Sequence, residues 1–419
     1  MSVRSLGTAA SGIDTMQTDL DTIGNDIANS ETDGFAAQTA QFSDLLSEQL
    51  QPAGGATGNV LASTNPSSIG AGDEVAAIAT NFSPGAVTQT GVSSNVAIEG
   101  SGFLVVSQGS QTYYTLDGDL QIDSNGHLAT NSGGLVQGWA PGQPTTSPPT
   151  DLSIIVGSNG PPAQTQNVML GGNIPSNATN PLTITTTMYD SLGDQVPVTL
   201  TLTPTGAGAW TMQGTVTGAS KSLWNTPQTL DFGTNGQLSP VNGTAVGTGQ
   251  TSLTIDNEPS NYTWTGTTEP AIDFPAVGSE GAVTQYADDQ TFEVVTQDGN
   301  AAGSLEAYSI GTNGVITGTY SNGNSEPLGT IALADFANPD GLDDVGETYF
   351  TPTVASGRAQ LGQPGTNGLG TVQGGAVENS NVDLATELTD LIEAQTAYQA
   401  NTKVLTSTQQ AVQALESVA

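Results

Sequence analysis

The chain has 419 residues with 40 acidic side chains, 4 basic ones and one histidine, so its formal charge is −36. Acidic residues are only about a tenth of the chain, and ordinary proteins have roughly a quarter charged residues in total, so the imbalance comes from missing lysine and arginine. Four scattered cations exclude a nucleic-acid interface and a polybasic membrane contact, and the lack of cysteine excludes disulfides and thiolate metal sites.

Three further properties limit what the chain does. No run of 18 apolar residues occurs, so we expect no membrane insertion. The N-terminal residues lack a continuous apolar segment, so we expect no cleaved signal peptide. With one histidine and no cysteine, we expect neither a metal site nor a cofactor.

Residues 1–30 are predicted to form an N-terminal helix with two apolar rows at heptad spacing. Such rows predict a coiled-coil contact, which we call the assembly seam. In this helix the seam consists of Leu6, Ile13, Met16, Leu20, Ile23 and Ile27. The acidic residues Asp14, Asp19, Asp21 and Asp26 lie between the rows, so the pattern predicts that charge stays off the contact.

The middle of the chain changes character twice. Residues 31–80 are rich in Gly, Ser, Thr and Ala, which predicts a linker or an extended stretch. Residues 81–144 together with 287–371 are predicted to form a discontinuous first β domain, and 145–286 an inserted second β domain. Turn pairs separate the short strands, among them Asp117-Gly118, Asn125-Gly126, Asn313-Gly314 and Asn322-Gly323.

Residues 376–419 are predicted to form a C-terminal helix that pairs with the first one as a coiled coil. Its part of the assembly seam consists of Leu384, Leu388, Leu391, Tyr398, Leu405, Val412 and Leu415. One such stripe most often packs within its own domain, whereas two stripes at opposite ends of a chain favour assembly with further copies. The predicted fold class is therefore multi-domain, mainly β, with paired terminal helices.

No arrangement of residues indicates catalysis. His127 lies at a predicted hairpin turn, and nothing supports a Ser/His/Asp triad through it. Asp119, Asp123 and Asn125 are spaced wrongly for an EF-hand loop, so we interpret them as turn formers. We expect no enzyme activity.

Stretches near both ends of the chain resemble the signatures of the flagellar rod and hook protein family. Asn25 to Phe35 is similar to the run that follows the family's first helix, with Ala36 where a lysine is usual. Gly375 to Leu384 and Ala394 to Val404 are similar to the family's C-terminal signature.

Internal stretches extend the resemblance over most of the chain, in the family's order. Residues 82–91, 98–103 and 114–118 are similar to the family's first β domain, although Leu116 replaces a usual arginine. Met188 to Gly193 and Ala334 to Leu342 resemble hook proteins in particular.

The resemblance implies a subunit of the flagellar hook, a curved tube that acts as a universal joint between rod and filament. It implies self-assembly, contacts with rod, hook cap and hook–filament junction proteins, and extracellular location after export by the flagellar apparatus. A distal rod protein is the first alternative, but rod proteins lack the large insertion at 145–286. A secreted β-rich adhesin or carbohydrate-active enzyme is the second, and it predicts no paired terminal heptads.

Overall fold

The computed structural model describes residues 3–51, 65–218, 221–241, 250–256, 262–264 and 270–416. The chain divides into two compact units. Unit 1 comprises Met1–Ile155, Tyr308–Gly318 and Glu326–Ala419, and unit 2 comprises Val156–Ala307 and Thr319–Ser325. The described structure is mainly β with one long helix at each end, which confirms the coarse fold class predicted from the sequence.

The two long helices of unit 1 pack against each other. They are α1, Val3–Ala28, and α2, Leu384–Glu416. A Cβ added at Gly12 of α1 would lie 2.6 Å from Asn401 Nδ2 of α2, so the missing side chain allows a close approach. Asp383 caps α2, since its carboxylate accepts hydrogen bonds from Ala385 N and Thr386 Oγ1. Neither helix is long and apolar enough, over its described residues, to cross a membrane.

Part of the predicted linker at 31–80 is an antiparallel ribbon. Strand β1, Gln38–Asp44, pairs with β4, Asp73–Thr80, and β2, Glu48–Gln51, pairs with β3, Ser67–Ile69. The ribbon is attached to α1 because the Asp73 carboxylate accepts hydrogen bonds from the hydroxyls of Ser11 and Thr15. These bonds join residues about sixty positions apart, so local composition carried no signal for them. Residues 52–64 of the predicted linker lie outside the described residues.

Eight short strands of unit 1 follow the ribbon. They are β5 Val87–Gln89, β6 Val96–Glu99, β7 Phe103–Gln108, β8 Gln111–Thr115, β9 Leu120–Ile122, β10 Leu128–Thr130, β11 Leu135–Trp139 and β12 Thr150–Asp151. Strands β7 and β8 form a hairpin, β11 pairs with β7, and β12 pairs with β11. An aromatic cluster of Phe103, Tyr114, Trp139, Phe336 and Phe350 forms part of the core of unit 1.

Unit 2 is built on two sheets. Its strands are β13 Asn159–Gly160, β14 Asn167–Gly171, β15 Leu182–Tyr189, β16 Gln195–Gly206, β17 Ala209–Val216, β18 Lys221–Ser222, β19 Gln228–Phe232, β20 Leu238–Val241, β21 Thr251–Thr254, β22 Ala271–Phe274 and β23 Glu293–Gln297. One sheet has the order β15-β16-β17-β19-β20, and the other has the order β21-β22-β14-β23. Along β16, Val196, Val198, Leu200 and Leu202 are buried at every second position, the period of a strand with one face in the core.

The remaining strands return the chain to unit 1. They are β24 Gly303–Ile310, β25 Val315–Tyr320, β26 Ser325–Ile331, β27 Leu333–Asp335, β28 Asp343–Gly346, β29 Tyr349–Thr351, β30 Gln360–Gly362, β31 Thr371–Gly374 and β32 Ala376–Glu378, with a 3-10 turn at Pro339–Gly341. Asn313-Gly314 and Asn322-Gly323 form the turns between β24, β25 and β26, and both glycines have positive φ.

The division between the units falls later than the sequence indicated. Unit 2 begins at Val156 rather than at 145 and extends to Ala307 rather than to 286. The Pro-rich residues 140–149, which include the predicted boundary at 145, lie within unit 1, where Trp139 Nε1 donates a hydrogen bond to Ser147 O. Prolines mark a break in regular structure, and here that break is a loop within one unit.

Asp190 in unit 2 gives the Met188-to-Gly193 motif a structural role, and it yields a prediction. Its buried carboxylate accepts hydrogen bonds from the backbone N–H groups of Leu192, Asp194 and Thr263. We expect Asp190→Ala to lower the free energy of unfolding of unit 2 by about 2–4 kcal/mol, because buried donors lose their acceptor. Urea unfolding followed by tryptophan fluorescence measures this, since Trp210 and Trp224 are buried in unit 2.

The exposed carboxylate of Asp194 provides the control. Asp194→Ala should change the free energy of unfolding by less than about 0.5 kcal/mol. Equal effects of the two substitutions would contradict the role assigned to Asp190.

Candidate assembly surface

The face that α1 buries within the chain is not the predicted seam. The positions most buried on α1 are Ala9, Gly12, Thr15, Thr22, Ile23 and Asp26. Of the predicted seam only Ile23 is buried, while Leu6, Ile13, Met16, Leu20 and Ile27 are half-buried. The buried face is therefore turned by about 100° from the seam, the angle of one residue position.

Small side chains account for this rotation. Gly12 lets α2 approach α1, and Ser11 and Thr15 face Asp73 of the ribbon. The helix is thus packed between α2 and the ribbon through small and polar residues. The larger apolar side chains Leu6, Ile13 and Leu20 consequently remain half-exposed at the edge of the packed face.

Apolar residues are also left uncovered on α2. Leu384, Leu388 and Ile392, spaced four residues apart on one side of the helix, have 44%, 50% and 65% of their surface exposed. We call these three residues the α2 stripe. Within the rest of the predicted seam, Leu391, Tyr398 and Leu405 are half-buried and Val412 is exposed, whereas Leu415 lies outside the described side chains.

A polar cavity of about 380 Å³ lies between α1, α2 and β1. The carboxylates of Asp19, Glu387, Asp390 and Glu393 line it, together with neutral residues that include Gln38. In the single chain Asp19 lines this cavity and Asp26 is buried on the face that α1 packs, although both lie off the predicted seam. Heptad counting placed these two residues off the seam, but the rotated helix turns them toward its neighbours.

Asp26 is buried more deeply than the acids that line the cavity. Its side chain is fully buried, Oδ2 accepts a hydrogen bond from Gln38 N at 2.8 Å, and Oδ1 has no partner. Burial raises the pKa of Asp26 to about 6, although the Gln38 hydrogen bond lowers it. Burial likewise raises the pKa of Glu387, and the charges of Asp26, Asp390, Asp19 and Asp383 raise it further.

Asn381 joins the helix pair to the β strands of unit 1. Its Oδ1 accepts a hydrogen bond from Ala37 N at 2.8 Å, and its Nδ2 donates to Asn81 O at 2.7 Å and Ser83 O at 2.8 Å. One amide thus connects the segment after α1, the segment before β5 and the start of α2. Both helices are held in place at this junction.

Glu378 completes the junction. Its Oε1 accepts a hydrogen bond from Gly85 N, and its backbone oxygen accepts one from Gly34 N, each at 2.8 Å. Burial raises the pKa of the Glu378 carboxyl, although the bond from Gly85 N lowers it. A Cβ at Gly85 would lie 2.1 Å from Asn379 O, so only glycine fits between these segments.

Asp117-Gly118 forms part of the same junction instead of the predicted hairpin turn. Gly34 packs on the backbone of Asp117, and a Cβ at Gly118 would lie 1.6 Å from Val96 O. Gly118 therefore serves close packing and not a positive φ, the property on which the turn prediction was based. Burial raises the pKa of Asp117 to about 6. The hydrogen bond that the Asp117 carboxylate accepts from Asp119 N opposes this shift, whereas the negative charges of Asp119 and Asp33 add to it.

The other candidate residues of the sequence have local roles. Asp123 accepts hydrogen bonds from Asn125 N and His127 N, which confirms its interpretation as a turn former. His127 Nδ1 lies 3.5 Å from Asp123 Oδ2, so the pair belongs to the same turn. In the described part of the chain, no three acidic or histidine side chains form a group that could hold a metal ion.

Sequence reasoning did not single out the individual residues of this junction. The stretches that contain them were singled out, since Gly34 lies in the Asn25-to-Phe35 signature and Glu378 and Asn381 lie in the C-terminal one. The available signal was the density of Asn, Asp and Gly in both stretches. The structural role of the two signatures is visible only in the folded chain, where Gly34 N of the first donates a hydrogen bond to Glu378 O of the second.

Three family profiles match the chain. The flagellar hook protein FlgE/F/G D1 domain matches residues 97–186, the flagellar basal body protein FlaE D2 domain matches 171–300, and the flagellar basal body rod FlgEFG protein C-terminal region matches 373–418. The chain is 34% identical to the flagellar hook protein FlgE of Borreliella burgdorferi, with 99% of each chain covered. This chain belongs to the flagellar hook protein family.

One further relative agrees with this assignment. The hook protein FlgE of Escherichia coli is 31% identical, with 97% of this chain and 98% of that protein covered. The crystal structure of the Helicobacter pylori flagellar hook protein FlgE2 shares 12% identity and a TM-score of 0.47, covering 68% of this chain and 99% of that one. The rod FlgEFG C-terminal profile spans Glu378, Asn381 and α2, so this part of the junction lies within a segment that the profile matches.

The raised pKa of Asp26 predicts how stability depends on pH. Because the folded-state pKa of about 6 exceeds the unfolded value of about 3.9, the folded chain retains a proton that the unfolded chain releases. The free energy of unfolding should therefore rise as pH falls from about 7 to about 4. Asp26→Asn should stabilise unit 1 near pH 7.5 by on the order of 1–3 kcal/mol and flatten this dependence.

Urea unfolding at about pH 5 and about pH 7.5 measures both effects. Asp21→Asn, on an exposed residue of the same helix, is the matched control and should keep the wild-type dependence. An Asp26→Asn chain that retains the full wild-type pH dependence would refute the assignment.

The Asn381 contacts yield a second prediction for this region. Asn381→Ala should lower the free energy of unfolding of unit 1 by about 2–4 kcal/mol, because one N–H donor and two carbonyl acceptors lose their partner. Thermal unfolding monitored by circular dichroism tests this. Asn379→Ala removes an exposed asparagine side chain two positions away and should have little effect. Similar losses of unfolding free energy in both variants would contradict the role assigned to Asn381.

Proposed function

We propose that the chain is a structural subunit of the bacterial flagellar hook, which polymerises into a curved tube that serves as a universal joint between rod and filament. The single observation that carries the proposal is the apolar surface left uncovered on the terminal helices. The α2 stripe is exposed, and Leu6, Ile13 and Leu20 of α1 are only half-covered. Membership of the hook protein family supports the same function.

Neighbouring copies provide the cover for this surface. In the proposed tube the terminal helices of adjacent subunits pair as a coiled coil, with the assembly seam and the α2 stripe in contact. The β strands of each unit then face outward, where the many Ser, Thr, Asn and Gly residues allow outer contacts to slide as the tube bends. The subunit is structural, and we assign no catalytic role to it.

The location and partners follow from the same proposal. The chain reaches the outside of the cell through the flagellar export apparatus. Besides further copies of itself, it contacts rod proteins, hook cap proteins and the hook–filament junction proteins.

A distal rod protein is the second candidate, because the C-terminal profile is named for rod proteins. The match of residues 171–300 to the FlaE D2 domain favours the hook, since the large insertion is the feature that rod proteins lack. Unit 2 contains all of this matched segment.

The α2 stripe provides the test of polymerisation. Leu388→Asp should leave the monomer folded, because the side chain is half-exposed, but should prevent tube formation by placing a charge in an apolar contact. Electron microscopy and sedimentation of the purified full chain measure assembly, and circular dichroism checks the fold.

Thr389→Asp adds the same charge to the neighbouring exposed position of α2 and is the matched control. It should still form tubes. Normal tubes from Leu388→Asp, or equal loss of tubes in both variants, would show that the stripe is not the contact.

A further inference from the structure

The contact between α1 and α2 is made mostly of small side chains. Along the described residues of α2, two side chains are buried, Ala394 and Thr408. Among the described side chains in the first half of α1, the buried ones are Ala9, Gly12 and Thr15. Large apolar side chains that interlock as knobs and holes fix the axial position of one helix on another. Because small side chains form only shallow ridges, this contact needs another feature to fix its register.

Asn401 lies on the packed side of α2. It is half-buried and is seven residues from each of the two buried residues of this helix, so the three lie on one side of α2. The two helices run antiparallel, because α2 residues between 387 and 397 line a cavity with α1 residues between 16 and 23, whereas Asn401, farther along α2, faces Gly12 near the start of α1. The Asn401 amide therefore extends from the packed side of α2 toward α1.

Gly12 provides the space that this amide occupies. A Cβ at position 12 would lie 2.6 Å from Asn401 Nδ2 and 3.2 Å from Asn401 Cγ, so a methyl group there would push the amide aside. The other two glycines of α1, Gly7 and Gly24, are exposed, and a Cβ at either position would have no atom within 4 Å. Glycine weakens a helix, and at Gly12 this loss is matched by a contact that requires a missing side chain.

A slip of α2 along α1 would remove this fit. A slip by one helical turn moves Asn401 by about 5.4 Å along the axis and brings it opposite a position three or four residues from Gly12. Each of these positions carries a side chain, namely Thr8, Ala9, Thr15 and Met16. The Asn401 amide therefore has space at one register, and overpacking opposes the neighbouring registers.

We propose that Asn401 and Gly12 together select the axial register of α2 on α1, with the Asn401 amide as the key and the space at Gly12 as the notch. The register determines where the α2 stripe lies relative to Leu6, Ile13 and Leu20 of α1, and a neighbouring copy covers these residues in the proposed tube. Asn401 is thus a positioning residue for assembly.

Distances between spin labels test the register in the single full-length chain. Because the chain has no cysteine, Asp21→Cys and Ser407→Cys place one label each on an exposed position of α1 and of α2. Double electron–electron resonance should give one narrow distance for the otherwise unchanged chain. Gly12→Ala should shift this distance, or add a second population, by about 5 Å, which is one helical turn. Asn401→Gly, which removes the key, should broaden the distance distribution.

The critical concentration for tube formation by the unlabelled full chain tests the effect on assembly, which rests on the polymerisation proposed above. Gly12→Ala and Asn401→Gly should each raise the critical concentration roughly tenfold. Gly24→Ala, the matched control, changes an exposed glycine of the same helix and should stay within about threefold of wild type. Circular dichroism of each monomer verifies folding.

An exchange of the two residues provides the second arm. Gly12→Asn combined with Asn401→Gly puts the amide on α1 and the notch on α2, and it keeps the number of glycines in the two helices. Gly12→Asn alone should disturb both the label distance and assembly. The exchanged pair should restore one narrow distance and a critical concentration within about threefold of wild type, because the two positions act as a unit.

Three results would overturn the register key. They are a broad label distance in the wild-type chain, a Gly12→Ala chain that behaves like Gly24→Ala, and an Asn401→Gly chain that keeps the wild-type distance, since Gly12 would then serve only close approach. If the distances change as expected but every variant assembles like wild type, the role in assembly is overturned while the hook function stands. If the wild-type chain forms no tubes, the proposed function fails, and the label distances still decide the register.

Discussion

Hydrogen bonds from backbone N–H groups to carboxylates are the interaction on which this structure depends. A chain with 40 acidic and 4 basic side chains cannot pair its acids with cations. Three buried acids instead accept bonds from main-chain amides: Asp26 from Gln38, Glu378 from Gly85, and Asp190 from Leu192, Asp194 and Thr263. Such bonds are charge-assisted and require only that the backbone be held in place, so they stabilise loops and junctions without any lysine or arginine.

The same scarcity of cations connects stability with assembly. At Glu378 and Asp190 backbone N–H groups donate hydrogen bonds to the buried carboxylates, so these acids support the fold of each unit. Near the contact of α1 and α2 the backbone donors do not satisfy every carboxylate oxygen, because Asp26 keeps an unpartnered oxygen and four further carboxylates line one cavity. The terminal helices therefore carry both uncovered apolar surface and unbalanced charge, and in the proposed tube a neighbouring copy covers the apolar surface. An adhesin or carbohydrate-active enzyme would have no use for such a pair of helices at its two ends.

Particular elements show how far the sequence could predict the fold and the site. The heptad rows predicted both terminal helices, and strands such as β7, β8 and β16 lie within the two segments that were predicted to be β domains. The rotation of α1 could not be predicted, because Gly12 and Thr15 look like weak helix residues until their partners Asn401 and Asp73 are known. Asp117-Gly118 has the composition of a turn, yet close packing against Gly34 and Val96 determines its position.

By itself, the sequence determined the element types, the terminal seams, the charge imbalance and the resemblance to the flagellar family, because these depend on residue type and spacing along the chain. Only the tertiary structure decided which face of α1 is buried, which carboxylates share a cavity and why the two signatures carry Gly34, Glu378 and Asn381. The physical reason is that each of these features depends on a contact between segments far apart in the chain. Ala37 and Asn381, for example, are 344 residues apart, and no local pattern encodes the hydrogen bond between them.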